Sequence, residues 1–247
     1  MLLKTDAVVL KQKKFGERDA VITLFSKKLG KIQGVAKGFK RIKGKYSVGT
    51  QPFCYGEFVL FKGKDLYQVS QVDLKQSFYK LREDVIKLTY ASYILELTES
   101  IITEGQTNNR LFDLLVEYLH IFSNMNKEYE TLTKAYELKL LMYSGYKPEI
   151  NRCVSCGSTG NEEIKFSARE GGLLCRNCLG IDPYSMKISS VTINVMKYLM
   201  HTDLTQISKL KIKPNVLKEL EKIVKHYIQT HIDKNQFKSL QFLEAIK

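Results

Sequence analysis

No run in the 247-residue sequence is apolar for long enough to cross a membrane, and Lys4, Asp6, Lys11, Lys13 and Lys14 break up the N-terminus before the apolar segment of a secretory signal could form. A cytoplasmic location is therefore expected. The chain also lacks a Gly-x-Ser-x-Gly elbow, a His-Glu-x-x-His pair and a glycine-rich dinucleotide loop. Its four histidines, His120, His201, His226 and His231, are scattered, and the last two, five apart, point to different sides of a helix. Carboxylates clustered for metal-dependent hydrolysis are missing, and Glu162-Glu163 reads as solvated loop. These absences point away from an enzyme. Cysteine is sparse at five residues, one of them isolated, which fits a reducing compartment where thiolates bind metal. Negative charge is short as well: 26 Asp and Glu face 39 Lys and Arg, a formal net charge of +13 that calls for an anionic partner.

That charge is unevenly spread. Residues 1–80 are net +11, residues 81–150 net −4 and residues 151–247 net +6, so one module holds the anion and another does something else. Within the first segment, Ala7 to Leu10, Ala20 to Phe25, Lys31 to Ala36, Glu57 to Lys62 and Leu66 to Val72 are short runs rich in Val, Ile, Phe and Tyr. Turn signals at Phe15-Gly-Glu17, Leu29-Gly-Lys31 and Gly63-Lys-Asp65 separate them. Five strands with a long connection between the third and fourth predict a small closed barrel such as the OB-fold, with an SH3-like barrel as the alternative.

The long connection interleaves cations with rings: Lys37, Lys40, Arg41, Lys43 and Lys45 alternate with Phe39 and Tyr46. OB-folds hold single strands in this way, with cations tracking phosphates and aromatic faces stacking on bases. The alternative is a solvated loop whose charges serve solubility. A phosphate-binding P-loop is excluded, because five residues separate Gly38 from Gly44 and Tyr46 follows Lys45 where Ser or Thr is needed.

From residue 81 the period changes to that of helices. Ile86, Tyr90, Tyr93, Leu97 and Ile101 form one stripe and Leu81, Val85, Leu88, Leu95 and Ile102 another, which predicts a helix packed on both sides. A second helix follows Asn108 or Asn109 as cap, and a third runs from about Tyr129 to Ser144, ended by Gly145. Beyond residue 185, Val191, Val195, Tyr198 and Leu199 form a stripe, and Pro214 opens a helix with Leu217, Leu220, Val224 and Tyr227 inward. Lysines from Lys209 to Lys225 can extend a nucleic-acid footprint or simply solvate a helix face.

Cys153-Val-Ser-Cys156 and Cys175-Arg-Asn-Cys178, 18 residues apart, have the spacing of a two-knuckle, four-cysteine zinc site, with Gly157 and Gly180 placed to ease the turns. Ile164 to Ala168 and Gly172 to Leu174 predict a hairpin between the knuckles. Four thiolates complete a tetrahedral shell, so one structural zinc ion is expected. A redox dithiol pair or an iron centre is the alternative. Cys54, between Phe53 and Tyr55, reads as a small buried core residue. The expected organisation is α+β: an OB barrel over 1–80, helices over 81–150, a four-cysteine insertion over 151–184 and helices again over 185–247.

In this order the features resemble the bacterial RecO recombination mediators. The likeness rests on Ala7-Val-Val-Leu10, Phe15-Gly-Glu-Arg-Asp19 leading into Val21-Ile-Thr-Leu-Phe25, Gly30-Lys-Ile32, Val35-Ala-Lys-Gly38, Gln51-Pro-Phe53, and Lys238-Ser-Leu-Gln-Phe-Leu243 following Tyr227 and His231. It implies a non-enzymatic protein of the bacterial nucleoid. Such a protein binds single- and double-stranded DNA, anneals complementary strands, and with RecR helps load RecA onto DNA coated by single-strand-binding protein. The C-terminal tail of that coating protein would dock on the helical part. The DNA-contacting face of the family maps onto Arg18, Lys27, Lys28, Lys31, Lys37, Lys40, Arg41, Lys43 and Lys45, to which Phe39 and Tyr46 add stacking faces. The competing readings are an RNA-binding protein built from an OB barrel and a zinc ribbon, and an accessory subunit of a nuclease or helicase.

Overall fold

The computed structural model describes residues 2–38, 48–160, 163–232 and 236–246, without the side chains at 244 and 246. Five strands come first: β1 (Leu2–Phe15), β2 (Asp19–Ser26), β3 (Gly30–Ala36), β4 (Tyr55–Lys62) and β5 (Tyr67–Gln76). Helices α1 (Val85–Ile101), α2 (Asn109–Asn124) and α3 (Tyr129–Tyr143) follow. Then come β6 (Glu149–Cys153), β7 (Lys165–Ser167), β8 (Gly172–Leu174) and β9 (Met186–Lys187). Helices α4 (Ser190–His201), α5 (Leu204–Ile207), α6 (Pro214–His231) and α7 (Lys238–Ile246) close the chain. It forms two compact units, Met1–Asn124 with Gln236–Lys247, and Met125–Asn235.

In the first unit the five strands close into a barrel of order β1-β2-β3-β5-β4, the OB arrangement. Inward residues fill it: Ile22 and Leu24, Ile32, Phe58 and Leu60, and, on either side of a bulge in β5, Val69 and Val72, with Cys54 buried among them as expected. Each such side chain contributes about 1.5–3 kcal/mol by leaving water. Strand β1 outruns its apolar stretch, because Lys11 to Phe15 still pair with Thr23 to Asp19. Backbone pairing needs no apolar side chain where both faces are wet. Gly30 is obligatory: its φ is +69°, and a Cβ there would lie 2.1 Å from the carbonyl oxygen of Gln106. Beside it Gly105 N–H donates to the Lys31 carbonyl at 3.2 Å, so the segment after α1 lies flush on the barrel.

Asp84 caps α1 by accepting from the amides of Ile86 and Lys87, and Asn108 caps α2 by accepting from that of Leu111. Helix α1 is packed on more than one side, as its two stripes predict, although Val85 and Ile86 of its first turn are exposed. Phe112 of α2 sets its ring edge-on to Phe25 and Tyr55 of the barrel, with centroids 5.5 and 6.2 Å away. The C-terminal α7 returns to this unit: Phe237 lies edge-on to Tyr93 at 5.4 Å, and Ser239 donates to Glu96.

The second unit is built around α3, buried from Thr131 to Leu141. Its interior includes an ion pair, Lys134 to Glu137 at 2.8 Å, with the glutamate fully buried. Gly145, at φ +87°, ends the helix, and the amides of Ser144 and Tyr146 close it on the carbonyls of Leu140 and Leu141. Helix α4 is rotated from its expected stripe. Val191 and Tyr198 are exposed, and Thr192, Ile193, Met196, Leu199 and Met200 face inward. Two overlapping stripes were available to this sequence. The polar N-terminal turn selects one, since Ser189 and Thr192 both bond the carboxylate of Glu219 in α6. In α6, Val216, Leu220, Ile223, Val224 and Tyr227 are inward, and Leu217 is half-buried.

Candidate nucleic-acid interface and metal centre

Strand register decides which loops of the barrel meet. β3 runs parallel to β5 through Gly34↔Tyr67 and Val35↔Gln68, while β2 sets Ile22 and Val21 against the same Gly34 and Val35. One rim is therefore made of the β1–β2 turn, the exit of β3 and the β4–β5 turn. It carries Lys13, Lys14, Arg18, Lys37, Lys62 and Lys64, all exposed, and among the described residues none of the six has a carboxylate within ion-pair distance. Phe15 and Phe61 stand among them, 56% and 44% exposed. Asp19 accepts from the amide of Gly38 at 2.8 Å and ties the β3 exit to the β1–β2 turn.

The DNA-contact residues expected from the sequence do not share one place. Arg18 and Lys37 belong to this rim. Lys27, Lys28 and Lys31 flank the β2–β3 turn at the other end of those strands. Lys27 donates to Asp113 at 2.8 Å, which raises its pKa, and sits 5.7 Å from the centre of the Phe112 ring. The Lys28 and Lys31 ammonium groups donate to the carbonyls of Lys4 and Glu99, each at 3.0 Å. Phe39, Lys40, Arg41, Lys43, Lys45 and Tyr46 lie outside the described residues. Lys13, Lys14, Lys62 and Lys64 and the rings of Phe15 and Phe61 join this rim without a motif in the sequence. Their signal was position beside two turns that only the barrel's closure brings together.

The four paired cysteines converge. The Sγ atoms of Cys153, Cys156, Cys175 and Cys178 all lie within 4.8 Å of one another, with Cys156 and Cys175 at 3.6 Å. A tetrahedron of sulfurs about 2.3 Å from a zinc ion has edges of about 3.8 Å, so the donor set fits a metal ion of that size and softness. Local backbone bonds shape each knuckle. Gly157, at φ +73°, donates to the Cys153 carbonyl, and Cys178 N–H donates to that of Cys175. Gly180 does not take the left-handed conformation expected of it, because the second knuckle continues into a helical turn over Arg176–Ile181.

The predicted hairpin is present as β7 and β8, in a four-stranded sheet of order β6-β8-β7-β9. Ser167 donates to Asp182, His231 Nε2 meets the Ala168 carbonyl at 2.7 Å, and Phe166 lies edge-on to Tyr227. The last two contacts hold the hairpin to α6, and the first ties it to the segment after the second knuckle. Burial pushes the Cys153 thiol up, but backbone amides of Cys156, Cys175 and Ser155 outweigh it and bring the thiol down to about 6. At Cys178 the Ser155 hydroxyl favours the thiolate, while desolvation and the facing sulfurs prevail and push the thiol up to about 12. Without a cation the cluster keeps at least one proton. A divalent ion would remove it.

Comparison with known proteins matches residues 1–78 to the family model Recombination protein O N terminal and residues 82–241 to Recombination protein O C terminal. The chain belongs to the RecO family. A RecO relative from Alkaliphilus metalliredigens, named DNA repair protein RecO, is 48% identical over 246 residues, covering 100% of both chains. RecO proteins of the same name from Acetivibrio thermocellus and Clostridium perfringens are 37% and 33% identical, covering 99% and 100% of this chain and 97% and 99% of their own. The barrel, the helices and the cysteine cluster described above thus all lie within RecO-family sequence. Among the described residues, no helix is long and apolar enough to cross a membrane.

Proposed function

We propose that this chain is a DNA-repair mediator that works by holding strands and carries out no covalent chemistry. The reading rests on the barrel rim, which carries six cations without ion-pair partners among the described residues and two exposed phenylalanines, against the exposed carboxylates of Glu17 and Asp65 in the same turns. Phosphates would be gripped by Lys13, Lys14, Lys37, Lys62 and Lys64, with Arg18 the one side chain able to bind a phosphate through two parallel hydrogen bonds. Phe15 and Phe61 would stack on bases, which every base allows, so no sequence preference is expected. The basic stretch that begins at Lys37 continues in sequence through Phe39, Lys40, Arg41, Lys43, Lys45 and Tyr46, which lie outside the described residues and are proposed as further contacts on residue type alone. Lys27, Lys28 and Lys31, at the opposite end of β2 and β3 and each bonded within the first unit, are assigned no part in this rim footprint.

One polycation holding two mutually repelling strands, with bases kept unpaired, accelerates their annealing. In the cell this activity would act with RecR on DNA coated by single-strand-binding protein, whose C-terminal tail docks on the helical part, and would help load RecA in the nucleoid. The metal is zinc, held by Cys153, Cys156, Cys175 and Cys178. It supplies cross-linking of the two knuckles, since four thiolates leave no open position. Purified protein assayed side by side for annealing of complementary DNA strands, RNA binding and nuclease activity tests the reading. Annealing without cleavage is expected. Cleavage, or retention of RNA in preference to DNA, would overturn it.

A further inference from the structure

A second cationic feature lies in the unit formed by Met125–Asn235 and has no part in the barrel rim. Strand β9 has two residues, and its pairing with β7 sets Lys187 directly opposite Lys165. Like charges placed across a strand pair weaken it, and among the described residues neither ammonium meets a carboxylate. Lys197 of α4 joins them along one open cleft of about 1000 Å³, beside Cys153 and Cys175, as does Arg152 of β6, which is paired with Glu149 at 3.4 Å. Asn151, Thr159 and Asn194 add hydrogen-bonding groups to its wall. The carboxylate of Glu163, also in the wall, faces Arg176 at 3.2 Å.

A sheet that places two lysines face to face gives up local stability, and such conflicts mark functional positions. Among the described residues no aromatic ring lines the cleft, so bases find no stacking surface there. Aliphatic side chains such as Ile164, Leu179 and Ile193 also line it, and the lysines and amides among them supply partners for phosphates. We infer that this cleft is a second nucleic-acid site, which grips the phosphodiester backbone of a single strand and leaves its bases free to pair. The inference rests on the strand-holding reading and extends it from one site to two. Two grips on one polycation are what bringing two complementary strands together requires.

Hydrogen exchange on the full, metal-loaded chain with and without oligo(dT) tests this. The amides of residues 164–167 and 186–190 should exchange more slowly with the oligonucleotide present, in the wild type and equally in an Arg18→Ala/Lys37→Ala variant. That barrel variant keeps this readout intact even if the rim binds nothing. In Lys165→Gln/Lys187→Gln/Lys197→Gln the protection should vanish, metal content should stay at the wild-type level, and the slope of log K against log salt should flatten by about 2, at roughly 0.7 per single-strand phosphate. Three results would each overturn the inference. Protection could persist in the triple variant, or the triple variant could lose its metal, which would make the lysines neutralisers of the thiolate cluster. Equal protection by poly-glutamate of matched charge would assign the cleft to an acidic peptide.

Discussion

Metal affinity at the four-cysteine centre should climb steeply with pH, because all four sulfurs bind as thiolates, and the two displaced thiols add features to that climb. The metal takes thiolates, so each thiol still protonated in the metal-free protein must release a proton, and each proton released changes affinity about tenfold per pH unit. Cys178, pushed up to about 12, is protonated throughout the working range and contributes about a hundredfold between pH 8 and pH 6. Cys153, brought down to about 6, is mostly thiolate at pH 7 and contributes little there. Below pH 6 it is protonated too, and its proton must also leave. The curve should therefore steepen by one further decade per pH unit in that region. Zinc competition against a colorimetric chelator from pH 5 to pH 8, corrected for the chelator's own protonation, measures this directly. Affinity that is flat between pH 6 and 8, or a slope that does not change across pH 6, would refute the assignment of proton-bearing sulfurs.

Gly30→Ala combines a left-handed backbone with a Cβ 2.1 Å from the Gln106 carbonyl oxygen, and should cost roughly 2–4 kcal/mol in urea unfolding; a loss under about 0.5 kcal/mol would mean the loop after α1 yields freely. Glu137→Gln leaves the Lys134 ammonium buried without its carboxylate and should cost about 3–5 kcal/mol, which a Lys134→Met/Glu137→Met double variant recovers; equal loss in both would refute the ion-pair explanation. Lys27→Gln/Lys31→Gln should lower the melting temperature while leaving the salt slope of single-strand binding unchanged, because both ammonium groups are engaged within the first unit; a flatter slope would return them to the footprint.

The barrel was legible in the sequence because short runs rich in Val, Ile, Phe and Tyr and Gly-marked turns are local signals, and the knuckles because two-residue spacing between thiols is one as well. The helix cap at Asn108 and the stop at Gly145 are local in the same sense. What stayed hidden depends on distant pairing. Lys62 and Lys64 join Arg18 and Lys37 only through the parallel β3–β5 contact, and Lys165 meets Lys187 only because a two-residue strand crosses back onto β7. The fate of Lys27 and Lys31 was hidden for the same cause, since Asp113 and Glu99 lie more than sixty residues away in sequence. Helix α4 shows a further limit: two apolar stripes overlap in it, and the choice between them falls to Glu219 on another helix. The return of α7 to the first unit likewise depends on Phe237 finding Tyr93.

A strand held at the barrel rim by its phosphates must bind with strong salt dependence, which oligo(dT) binding reads in the wild type and in Lys13→Ala/Lys14→Ala/Arg18→Ala/Lys37→Ala. If about 5–8 phosphates are neutralised, log K should fall against log salt with a slope of roughly −3.5 to −5.6 in the wild type, flattened by about 3 in the variant. Tight binding that is flat in salt, or a variant slope equal to that of the wild type, would contradict it.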